Sequence, residues 1–103
     1  MNSETPYDFQ WNPAKALYNI RKHGVTFDQA ATVFLDVLAL TVYDEANSQN
    51  EDRGSLLATT PAAKLSAVAH TYDAIGPTNV RVRIISARKA TSRERHTYEN
   101  EPR

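Results

Sequence analysis

Cysteine is absent from this chain, so it can build neither a disulfide framework nor a thiolate metal site. Glycine is scarce, with three residues in 103, and no glycine-rich phosphate loop can be assembled from them. No apolar run approaches the length needed to span a bilayer. The N-terminus, Met1-Asn2-Ser3-Glu4-Thr5-Pro6, has neither the basic nor the apolar stretch of a secretion signal. These absences together lead to the expectation of a cytoplasmic protein. The three histidines stand far apart without ligand spacing, so no metal and no cofactor are expected. What remains is one domain over residues 1–103, with residues 1–6 expected to be a flexible lead. The 41% hydrophobic and 23% charged content suits a folded globular chain and argues against disorder as a whole.

Net charge is also lacking, at +0, which at first argues against a nucleic-acid binder. The average conceals an asymmetry. Seven basic and three acidic residues lie between Arg81 and Arg103, giving that segment +4 and the remainder −4. Basic character gathered at one end can still hold a few phosphates locally.

The elements follow from periodicity and punctuation. Tyr7 to Trp11 alternates aromatic and polar residues, as a half-buried strand does. Asn12-Pro13 is an N-cap followed by a residue suited to the first helical turn, and Gly24 suits a left-handed C-terminal position. Between them Ala14, Leu17, Tyr18 and Arg21 share one helical face. Thr26 to Gln29 has capping-box spacing and opens a second helix to about Leu35, with Ala30, Val33 and Phe34 inward. Leu38–Tyr43 reads as a strand, and Asp44–Asp52 as a long acidic loop. Arg53–Thr60 and Lys64–Tyr72 read as a hairpin turning at Pro61-Ala62-Ala63. Asp73–Asn79 is a further turn. In Val80–Ser86 the alternation sends Arg81 and Arg83 to one face and Val80, Val82 and Ile84 to the other. Thr91 to Glu94 is a second capping box, opening a helix to about Glu99. The order is β-α-α-β-β-β-β-α. Short connections between strands imply a small antiparallel sheet packed by two N-terminal helices and a C-terminal helix, an α+β fold.

Two segments carry a more specific pattern. One runs Trp11-Asn12-Pro13-x-Lys15-Ala16-x-x-Asn19-x-x-Lys22-His23-Gly24-Val25-x-Phe27. The other runs Arg83-Ile84-Ile85-Ser86-Ala87-Arg88-Lys89-Ala90-Thr91, followed by Glu94-Arg95 and Tyr98-Glu99. With Ala30-Ala31-x-Val33-Phe34-x-Asp36 and Glu51-x-Arg53 between them, they resemble the BrnT family, the ribonuclease toxins of BrnT/BrnA type II toxin–antitoxin systems. The resemblance implies a RelE-like fold, RNA cleavage, and a BrnA-like ribbon-helix-helix antitoxin through which operator DNA is bound. The hairpin departs from the pattern. Leu57-Ala58 and Leu65-Ser66-Ala67-Val68 replace an Ile-Gly pair and a longer apolar run, Tyr72 to Asn79 is lengthened, and Tyr72 follows His70-Thr71 where the family has a basic residue.

Metal-free RNA cleavage needs the 2′-hydroxyl deprotonated, the phosphorane charge neutralised and the 5′-oxygen protonated, leaving a 2′,3′-cyclic phosphate or 3′-phosphate end. Arginine suits the second task, because its planar fork matches two phosphate oxygens. Arg83 and Arg88 lead, and the resemblance matches both; the competing reading is a solvated strand face. His70 is either an acid–base near neutral pH or a half-buried histidine on a backbone partner. Lys22 and His23 either hold the RNA backbone or complement the end of a helix. Arg53 reaches substrate or pairs with Glu51. Ser86 is a phosphate donor without a nucleophile's surroundings, Lys89 and Arg95 add cations, and Tyr98 stacks on a base or packs. The competing function is a non-catalytic module on the same fold that binds a partner protein or nucleic acid.

Overall fold

The computed structural model of the chain describes residues 7–43 and 52–102. The expected flexible lead at 1–6 lies outside these residues. So does the expected acidic loop, apart from Asp52, which opens a strand. The described elements are β1 (Tyr7–Gln10), α1 (Pro13–His23), α2 (Phe27–Thr32), a 3-10 turn (Val33–Leu35), β2 (Leu40–Tyr43), β3 (Asp52–Thr59), β4 (Leu65–Ala74), β5 (Val80–Lys89) and α3 (Ser92–Asn100). The sheet order is β1-β5-β4-β3-β2. The last three pairings are antiparallel, but β1 joins β5 in parallel, with Tyr7 beside Val80 and Gln10 beside Arg83. The sheet is therefore mixed rather than wholly antiparallel. α1 and α2 between β1 and the hairpin strands supply the crossover that a parallel neighbour requires.

The caps form as their residue types dictate. Asn12 accepts the backbone N–H groups of Ala14 and Lys15 at 2.8 and 3.3 Å. Gly24 ends α1 at φ 72° and donates to the Ile20 carbonyl at 2.8 Å. Both capping boxes close, Thr26 with Gln29 and Thr91 with Glu94. The core lies between the sheet and the first two helices. Phe27, Val33, Val68, Val82 and Ile84 are its largest fully enclosed side chains, and Trp11 meets the Phe27 ring edge-on at 5.9 Å. Among the described residues no helix is long and apolar enough to cross a membrane.

α1 packs the opposite way round from its apolar pattern. Leu17 and Tyr18 face solvent with Ala14 and Arg21, while Asn19 is buried and Ala16 and His23 are half-buried. The cause lies in β5. Beyond Gln10 there is no β1 left to pair with it, so its outer edge offers unpaired backbone groups. Asn19 fills one such position: its Nδ2 donates to the Ala87 carbonyl at 2.8 Å and its Oδ1 accepts the Ala87 N–H at 3.1 Å. The same Nδ2 donates to the Val25 carbonyl at 2.9 Å. One carboxamide thus pairs a strand edge as a neighbouring strand would and fixes the α1–α2 turn. A leucine there would leave both Ala87 groups buried and unpaired, which costs more than the burial of one apolar side chain returns.

Asn19→Ala is expected to lower stability by about 2–4 kcal/mol, the range for stranding two or three buried backbone groups. Urea denaturation checks this; a loss below ~0.5 kcal/mol would show that the edge is satisfied otherwise.

Candidate nucleic-acid interface

The placement of the basic residues begins with a bulge. β4 and β5 pair His70 with Ile84 and Ala69 with Ser86, so Ile85 is an extra residue on β5. In an unbroken strand, positions 83 and 88 would point to opposite faces. The extra residue shifts the alternation by one. Ile84 and Ala87, three positions apart, therefore both enter the core, and Arg83, Ser86 and Arg88 take the other face with Arg81. Two of the resemblance's arginines share a face because of this single residue.

That face is organised in cross-strand rows. Gln10, Arg83, Thr71 and Arg53 occupy adjacent register positions across β1, β5, β4 and β3. Arg53 is placed here by its backbone. The next row holds Ser86, Ala69 and Ser55, and the one after it Arg88, Ala67 and Leu57. Arg83 and Arg88 lie roughly 15 Å apart along the strand at ~3.3 Å per residue, and they keep different company.

Arg83 is exposed and borders a groove of about 350 Å³ lined also by Gln10, Trp11, Asn12, Lys15, Ile84 and Ile85. The groove exists because β1 stops at Gln10 while β5 runs on to Lys89. Its wall includes the first turn of α1, which carries no acidic residue, so the positive helix end, Lys15 and Arg83 act in one direction. Arg88 is committed to a carboxylate. Its guanidinium donates to both oxygens of Glu94 at 2.7 and 2.9 Å. The Glu94 carboxylate also accepts the Thr91 N–H at 2.9 Å, and the Glu94 N–H donates to the Thr91 hydroxyl oxygen at 3.1 Å. The fork from Arg88 does most to hold the Glu94 carboxyl down to about 2, against a smaller opposing effect of burial. The same ion pair raises the Arg88 guanidinium's pKa.

The other expected site residues fall in several places. His70 belongs to the opposite, core face. It is buried, its ring stands edge-on to Phe34 at 5.1 Å and 6.1 Å from Tyr72, and its Nδ1 faces the Val68 carbonyl at 3.2 Å. Burial pushes its pKa below the usual histidine value despite that contact, so near neutral pH the ring is uncharged. The structure brings it together with an aromatic cavity of about 420 Å³ that includes Tyr7, Phe34 and Asp36, and not with the arginines. Lys22 is exposed on α1 with its ammonium 5.7 Å from the Tyr18 ring. His23 sits half-buried at the helix end, before Gly24. Ser86 is half-buried and Lys89 exposed. Arg95 faces Glu99 at 3.8 Å, one helical turn on. Tyr98 donates its hydroxyl to Asp36 at 2.6 Å.

Asp36 is one of three residues whose importance sequence reasoning missed. Its carboxylate accepts from the Leu38 N–H, the Thr59 N–H and hydroxyl, and Tyr98. Burial pushes its pKa up, and these four donors more than reverse that. Asp36 thereby ties α3 to the end of β3. The other two are Asn19 and Glu94. Asn19 gave a usable signal, a polar residue in register with Ala16 and His23 on a helix that has to face a sheet. Among the described residues, no three histidine, aspartate or glutamate side chains converge as a metal site.

The comparisons with known proteins agree with one another. Residues 11–94 match the model of a family described as the ribonuclease toxin BrnT of type II toxin–antitoxin systems. The fold is similar to the crystal structure of the Brucella abortus ribonuclease toxin BrnT, with a TM-score of 0.59 and 21% identity over 85% of this chain and 100% of that one. No curated protein matches the sequence.

The Glu94 carboxyl lies below its ordinary value of 4.5 in the folded chain. Its contribution to stability is therefore complete above about pH 4.5 and is lost as pH falls towards about 2. Glu94→Gln retains the capping-box partner but removes the charge. It should cost about 1 kcal/mol at neutral pH and lose less stability than the parent between pH 4.5 and 2. Parallel acid-unfolding curves for the two proteins would contradict the assignment.

Proposed function

The chain belongs to the family of BrnT ribonuclease toxins of type II toxin–antitoxin systems, and from that membership we propose that it cleaves RNA at the groove bordered by Arg83. A toxin of this kind acts on RNA and is held by an antitoxin partner. The observation that carries the reading is the position of Arg83. It lies on the face opposite the core, beside Lys15 and the start of α1, in one row with Arg53.

In this mechanism the 2′-oxygen of one nucleotide attacks the adjacent phosphorus. The 2′-hydroxyl proton passes to solvent, negative charge builds on the non-bridging oxygens, and the 5′-oxygen departs with a proton drawn from solvent. A 2′,3′-cyclic phosphate and a 5′-hydroxyl result. Arg83 faces the non-bridging oxygens with its fork, and Lys15 adds a second charge from the helix side. Arg53, one strand beyond Thr71, extends the positive row along the RNA backbone. Trp11 gives the groove an aromatic wall against which a base can rest. Arg88 acts differently: it holds Glu94 and so orients α3, leaving Ser86 and Lys89 to meet the neighbouring backbone. His70 stays with the core. The reaction proceeds without a metal, because cations of the chain neutralise the phosphorane. The antitoxin is a BrnA-like ribbon-helix-helix protein, and operator DNA is bound through the complex. Substrate and antitoxin place the activity in the cytoplasm.

The purified chain should cut single-stranded RNA at the same rate with and without EDTA, leaving cyclic phosphate ends. Arg83→Ala, its circular dichroism unchanged, should be slower by roughly 100-fold or more, the usual cost of losing one charge-stabilising donor. An Arg83→Ala protein that cuts like the parent would sink the mechanism, and complete inhibition by EDTA would remove its metal-free step.

A further inference from the structure

The outward face of α1 has a composition that neither the fold nor the groove uses. Leu17 is 60% exposed, Tyr18 62% and Ile20 42%. With Ala14 and Arg21 they cover the side of the helix turned away from the sheet. Apolar side chains grouped on the exposed side of a helix, while its inner side holds Ala16, Asn19 and His23, invert the arrangement of an ordinary surface helix and mark an interaction surface. The charges on the same helix have one sign. Lys15, Arg21, Lys22 and His23 lie on α1, and it holds no aspartate or glutamate.

We infer that this face is where the antitoxin docks, through an acidic amphipathic helix whose apolar side covers Leu17, Tyr18 and Ile20. Its carboxylates meet Lys15, Arg21 and Lys22. The aliphatic tips of Leu17 and Ile20 favour a protein over RNA, since they offer a nucleotide neither hydrogen bonds nor a stacking plane, and Tyr18 is the one ring among the three. A second copy of α1 would set Arg21 and Lys22 against like charges. The inference rests on the toxin–antitoxin reading and adds to it a route to inhibition. Lys15 belongs both to this helix flank and to the groove wall. A carboxylate that takes Lys15 removes one of the two charges proposed for the phosphate, so docking on α1 closes the groove without contact to Arg83.

The test uses the full chain and the protein encoded by the adjacent reading frame. Isothermal titration gives the antitoxin affinity of the parent and of the double variant Leu17→Glu, Tyr18→Ala. RNA cleavage by each free protein is measured in parallel. The expected result is an affinity at least 10-fold weaker, with cleavage by the free variant unchanged. Unchanged affinity overturns the inference. So does a variant that keeps its affinity but loses RNA cleavage, which would make α1 an RNA surface. A parent that dimerises by itself and becomes monomeric on substitution would make the face a self-interface and overturn it too. A parent that binds no antitoxin would overturn the toxin–antitoxin reading itself, and the docking surface with it.

Discussion

The Asn19 carboxamide paired with both backbone groups of Ala87 decides where everything else near the groove can sit. β5 must serve two neighbours of unequal length, β1 of four residues and β4 of ten. Past Gln10 its outer edge would be open, and an open edge of buried backbone groups is unstable and adhesive. Satisfying that edge with a side chain instead of a strand brings α1 down beside Ile85 and Ala87. The gap left where β1 ends, walled by the first turn of α1, becomes the groove. The buried asparagine also explains the exposed Leu17 and Tyr18, because a helix turned to present Asn19 inward must present the opposite side outward.

A second constraint acts on the charges. The bulge at Ile85 puts Arg83 and Arg88 on one face, and two carboxylates then divide the work on the C-terminal side. Glu94 holds Arg88 and caps α3, and Asp36 holds Tyr98 and the end of β3. Both are lowered below the ordinary carboxylate value, so both remain charged wherever the protein is folded near neutral pH. α3 is thus fastened at each end by a hydrogen-bonded anion, and Glu94 engages the arginine that would otherwise double the charge available to RNA.

Much of this was legible in the residues. Capping sequences placed all three helices, since Asn12-Pro13, Thr26-x-x-Gln29 and Thr91-x-x-Glu94 report local hydrogen bonds that form as written. Alternation placed Arg81 and Arg83 outward. The parallel pairing of β1 was not legible, because strand direction depends on a crossover and not on any local pattern. The orientation of α1 was hidden for a related reason: its apolar face answers to a partner, while its inward face answers to the unpaired edge of β5. His70 read as an acid–base or, as is commoner for a lone histidine, as a half-buried residue on a backbone partner, and only the register of β4 against β5 puts it with Phe34 and Tyr72. Arg88 was read as a phosphate ligand from its residue type and from the resemblance, whereas its engagement depends on Glu94, six residues on, which the capping box brings back towards it.

The central claim is that the scissile phosphate lies in the groove at the end of β1. A crystal structure of the chain with a short RNA whose 2′-oxygens are methylated tests it most directly, since the blocked nucleophile traps the substrate before cleavage. A backbone phosphate between Arg83 and Lys15 is the predicted result. A phosphate seated in the cavity beside His70 and Phe34, with the groove empty, would contradict it.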